Sequence, residues 1–151
     1  MNEHNIGKWL RGMCMALAVI GAVTAVLIPI RATHYCGSVS PLWLILFAEI
    51  AVVCCGCALE RFYHVCMLIG DCRSFCAENA KLMREVSLWL AGGALAALAL
   101  LTAHCIGAGL YAFFLFLLAV LFLAFASFAA RVLSVLIARA AAIQDENDLT
   151  I

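Results

Sequence analysis

Nine cysteines and four histidines are the side chains with which this chain could hold a metal or exchange thiols. Cys54 and Cys57 have the C-x-x-C spacing of a dithiol pair, with Cys55 between them, and Cys66, Cys72 and Cys76 follow as C-x5-C-x3-C. Either group is a candidate for thiol exchange or metal ligation, chemistry that depends on thiolate formation. His34 and Cys36, with His104 and Cys105, make a second set, two imidazoles and two thiols of the kind that bind zinc or copper. Their spacings are those of no known finger, and neighbouring residues on a helix diverge, so no metal is expected. The one acidic residue within a long apolar run is Glu49, a candidate for moving a proton or an ion.

What these groups can do depends on the solvent around them. Only 12% of the residues are charged and the mean hydropathy is +1.13, too apolar for the core of a soluble domain to absorb. Four stretches have the roughly 20 residues needed to cross about 30 Å of hydrocarbon as helix. They are residues 12–30, 41–59, 87–106 and 110–130. None alternates polar with apolar, so a barrel strand is not expected. The expected fold is therefore all-α: a single membrane domain over 1–151, with four transmembrane helices as two antiparallel hairpins. An elbow over 60–86 and a tail over 138–151 carry most of the polar residues.

Basic residues orient it. Lys8 and Arg11 precede the first span, Arg61, Arg73, Lys81 and Arg84 lie in the middle segment, and Arg131 and Arg139 follow the last span, against Arg31 alone on the other side. That excess places both termini and the elbow in the cytoplasm. Trp9 and Trp89 then fall at inner helix ends, and Trp43 and Tyr111 at outer ends. The basic N-terminal flank has the look of a signal peptide, but the apolar run continues to Ile30 and no cleavage is expected. In this frame Cys36 and Cys105 share the oxidising side, where a disulfide between them would tie the two hairpins together. The other cysteines lie in or below the inner leaflet, where packing as a small apolar residue is the ordinary use. Glu49 has two readings: an ion pathway, or a protonated carboxyl hydrogen-bonded to Thr24 or Thr102.

The middle segment holds most of the contact chemistry. Asp71 or Ser74 can cap a helix with Glu78 in its first turns. Phe75, Leu82, Met83 and Val86 make one apolar stripe, while Glu78, Lys81 and Glu85 have the spacing of exposed ion pairs. This predicts an amphipathic elbow helix at the inner membrane surface, either resting on lipid or docking a cytoplasmic partner. Residues 61–70 are apolar enough to continue helix two. Asp145, Glu146 and Asp148, repelled by an anionic leaflet, either stay solvated or pair with Arg73, Lys81 and Arg84, and the end at Ile151 suits capture by a partner. Ala18, Gly21, Ala22 and Ala25, and Gly92, Gly93, Ala96 and Ala97, form small-residue faces for close helix packing. The phenylalanines of helix four make a lipid face.

Phe75, Glu78, Asn79 and Arg84, with Met83 in a leucine position, match a segment of the form F-x-x-E-N-x-x-x-L-R that precedes the third helix in a family of small bacterial four-helix membrane proteins. The ending ENDLTI resembles that family's acidic terminus. The chain thus resembles domain-of-unknown-function family 2975 in length, helix count and order. The resemblance implies a multi-pass protein of the bacterial inner membrane with no assigned activity and no cofactor. It also implies a cytoplasmic helix-turn-helix transcription regulator, often encoded beside such proteins, as a partner by association. Phe75, Glu78, Asn79, Lys81, Arg84, Asp145, Glu146, Asp148 and Ile151 are the candidate contact residues. The expected role is non-enzymatic, with lipid and a regulator as partners and no direct contact to nucleic acid. A small transporter or channel using Glu49 is the alternative, and a membrane thiol oxidoreductase the third reading.

Overall fold

The computed structural model describes residues 3–32, 41–70, 76–104 and 110–148. They form four helices: α1 (Glu3–Ala32), α2 (Pro41–Gly70), α3 (Ala77–His104) and α4 (Leu110–Asp148). Among the described residues three stretches are long and apolar enough to cross a membrane: Lys8–Leu27 in α1, Ala77–Thr102 in α3 and Phe113–Gln144 in α4. α2 carries Glu49, Glu60 and Arg61.

All four helices outgrow the spans expected of them, α2 and α4 at the ends that matter for the base. At about 1.5 Å per residue, the 30 residues of α2 and the 39 of α4 are longer than hydrocarbon requires. Residues 61–70 do continue α2. Residues 138–148 of the expected tail are helical, because α4 runs on to Asp148. Alanines and straight-chain residues fill this stretch and nothing breaks the helix before its acidic end.

The elbow is also built differently from expectation. It is no separate helix: its described residues belong to the end of α2 and the first turns of α3. α3 starts at Ala77, later than a cap at Asp71 or Ser74 would set it. The carbonyl of Cys76 accepts the N–H groups of Asn79 (3.1 Å) and Ala80 (3.3 Å). Glu78 sits in the first turn, where the macrodipole favours a negative charge. Met83 and Val86 of the apolar stripe are buried and Leu82 packs against them, so the stripe faces other helices and not a lipid surface.

Among the described residues each helix packs on its neighbours in sequence: α1 on α2, α2 on α3 and α3 on α4. Polar contacts fix the register. The hydroxyl of Ser127 donates to the carbonyl of Ser87, and that of Ser134 to the carbonyl of Ala80, both at 2.8 Å. Seven residues forward on α4 are thus seven back on α3, which makes the pair antiparallel. The α2–α3 pair steps the same way, from Cys54 beside Gly92 to Arg61 beside Glu85. Repeats of seven on both interfaces are the signature of helices packed side by side with a shallow crossing.

Gly92 and Gly93 allow the α2–α3 approach. A methyl group on Gly92 would stand 3.4 Å from Sγ of Cys54, and one on Gly93 3.6 Å from its Cβ. Ala96 and Ala97 are buried below them. In α1 the small-residue face is used less: Ala18 and Ala22 are exposed, and a methyl on Gly21 would meet nothing within 4 Å.

Candidate functional site

Among the described residues a buried apolar cluster lies where the later turns of α2 and α4 meet the first turns of α3. Ala58 and Val65, Ala80, Met83 and Val86, and Ala130 and Ile137 form one buried cluster, with Phe62, Ile69 and Leu90 against it. Ser134 closes it with its bond to Ala80. Arg61 and Glu85 meet at 3.3 Å on its rim, both partly exposed. Glu85 therefore reaches across to α2 instead of pairing with Lys81 on its own helix. A bridge so placed adds at most about 1 kcal/mol. The apolar contacts beneath it contribute more, because burying one large aliphatic side chain is worth roughly 1.5 to 3 kcal/mol.

The outer surface of this three-helix base is charged. Glu78, Lys81 and Arg84 on α3, and Arg131, Arg139 and Glu146 on α4, are exposed. Asn79 is not: it is 1% exposed, inside the packing of α3, so a docking molecule would meet its neighbours and not Asn79 itself. Asp145 and Asp148 lie on the last turns of α4. Phe75 and Ile151 fall outside the described residues, as do Arg73 and Cys72.

The structure does not bring the sequence's other candidates into one centre. Glu49 is half-buried. About 100° per residue turns it away from Ala58, which faces α3 nine residues further on. Its expected partners use their hydroxyls elsewhere: Thr24 donates to the carbonyl of Gly21 (2.8 Å) and Thr102 to that of Ala99 (2.9 Å), each within its own helix. Such back-bonding satisfies a hydroxyl in an apolar setting. Cys14, Cys54, Cys55, Cys57, Cys66 and Cys76 are free thiols. Cys54 packs on Gly92 across the α2–α3 interface. Cys66, in the extension of α2, is fully buried and in hydrogen-bonding contact with Cys14. Burial first, and then the neighbouring Cys14 thiol, push Cys66 up to about 12 against an opposing pull from Arg11. It stays protonated near neutral pH and is a poor nucleophile.

Among the described residues no three metal-ligating side chains converge. The proposed bridge between Cys36 and Cys105, and the metal set of those two with His34, lie outside the described residues. His104 is the last residue of α3.

Sequence reasoning overlooked two groups. Ser127 and Ser134 look like ordinary small residues in an apolar run, yet they set the α3–α4 register. Val132, Leu136 and Ile143, past the end of the expected fourth span, are exposed on the part of α4 that packs into the base.

An all-helical chain with three membrane-length apolar helices and a packed helical base defines the class of protein. Over residues 3–151 it matches the family described as Protein of unknown function (DUF2975), and it belongs to that family. No match was found among curated proteins or among solved structures.

Proposed function

We propose that this chain is a four-span protein of the bacterial inner membrane, with both termini in the cytoplasm, and that its base is a docking platform for a cytoplasmic protein. The single observation behind this reading is the packed base, formed where the ends of α2, α3 and α4 continue past membrane length. A lipid anchor needs no such structure. A rigid support for a binding surface does, because ordering the surface beforehand lowers the entropic cost of association. Pro41–Leu59 of α2, with Glu49 as its one charge, supplies the fourth crossing. The basic residues on the base match the side favoured by the positive-inside rule. The partner implied by the family is a small helix-turn-helix regulator, held at the membrane without contact between this chain and DNA.

The test is co-purification of the full chain with a small helix-turn-helix regulator of the kind that the family resemblance implies, from the same cells. The wild-type chain should retain the regulator. Lys81→Glu with Arg84→Glu, or deletion of residues 144–151, should weaken that retention. Failure of the wild-type chain to hold any cytoplasmic protein would remove the platform reading.

A further inference from the structure

α4 carries two stripes through its overhang. Ala130, Ser134, Ile137 and Ala141 are buried, spaced four, three and four residues apart. Val132, Leu136, Arg139 and Ile143 repeat that spacing half a turn round the helix, and all four are exposed, Leu136 by 55% and Ile143 by 60%. Leu133 and Val135 flank the second stripe and are exposed too.

Lipid does not account for this apolar face. The bond from Ser134 to Ala80 sets residues 132–136 level with the first turns of α3, where Glu78, Lys81 and Arg84 are exposed. Three charges at one level mark water or headgroups, not hydrocarbon. Length agrees: starting from Leu110, about 30 Å of hydrocarbon uses some 20 residues, and even a tilt of about 40° uses only about 26. Ile143 lies beyond either limit. Apolar residues grouped on a surface outside the bilayer are the usual mark of an interaction site.

We infer that the outer stripe of α4, Val132, Leu136 and Ile143 with Arg131 and Arg139, is a docking site for an amphipathic helix of a cytoplasmic protein that carries acidic residues beside its apolar face. The spacing fits a helix laid alongside, anchored at successive turns. Charge decides the occupant. In a parallel pair of identical α4 helices, the exposed Arg139 side chains would face each other across the seam, which is unfavourable. An acidic partner turns the same arginine into a source of attraction and orientation. This inference rests on the platform reading and names the surface through which it acts.

The experiment uses the full chain in discs of zwitterionic phosphatidylcholine and two helical peptides of about 18 residues. Both peptides carry leucines at i, i+4, i+7 and i+11, with flanking glutamates in one and lysines in the other. The glutamate peptide should bind tighter by about tenfold. The preference should reverse in the Arg131→Glu, Arg139→Glu variant, and Leu136→Ser with Ile143→Ser should abolish binding of both. Unchanged melting of the variants would show that the inner stripe still holds α4 in place. Equal binding of the two peptides, or equal binding to empty discs, overturns the inference. Efficient cross-linking between copies carrying Leu136→Cys gives the stripe to a second copy. If the α4 variants keep the regulator while Lys81→Glu, Arg84→Glu loses it, the platform stands and α4 is not its contact.

Discussion

Asn79 and Leu136 exchange the roles that their side chains suggest. The polar residue is buried in the base and the apolar one is exposed on it. At this scale polarity gives a poor guide because the base joins three helices whose register the sequence does not print. Ser134 should be a modest contributor: Ser134→Ala removes one buried hydroxyl bond and should cost about 1 kcal/mol in denaturant unfolding in detergent. Gly92 should be less forgiving. Alanine fits in ordinary contact with Cys54, but Gly92→Leu would drive the α2–α3 pair apart and cost about 1 to 3 kcal/mol by the same measurement. Cys66 should resist maleimide at neutral pH until the chain unfolds, since its thiol is both buried and held protonated.

At the scale of elements, α4 is one helix with two environments. Its first half presents Phe114, Phe122, Phe125 and Phe128 outward, as expected of a lipid face, and its second half belongs to the base. The change falls near Ala130, where the expected span ends, and leaves no break in the backbone, which is why apolar length alone did not show the helix running on to Asp148. The two stripes of the overhang should separate in mutation. Ile137→Ala, in the buried cluster, should destabilise by about 2 to 5 kcal/mol. Leu136→Ala, one residue away and exposed, should stay within about 0.5 kcal/mol of wild type.

For the whole molecule, the open series α1–α2–α3–α4 makes α2 and α3 the central elements, with α1 and α4 each resting on one neighbour among the described residues. Orientation is tested at this scale. On a background without other reactive thiols, cysteines replacing Glu78 and Gln144 should label with membrane-impermeant maleimide only after the inner face is opened, as the proposed topology requires. Labelling of these two from outside would invert the proposed topology.

The sequence by itself determined the solvent, the helical class and the approximate helix positions, because apolar length and charge distribution are local properties that a bilayer reads directly. It also pointed to Gly92 and Gly93 as an approach site, since small residues in a membrane helix have few other uses. Only the tertiary structure decided that the described turns of the elbow belong to two long helices, that Glu85 meets Arg61, that Asn79 is inside and that Leu136 is outside. Each of these depends on which helix lies alongside and at what register, and that is fixed by packing between residues far apart in the chain, where a shift of one position turns a buried stripe toward water.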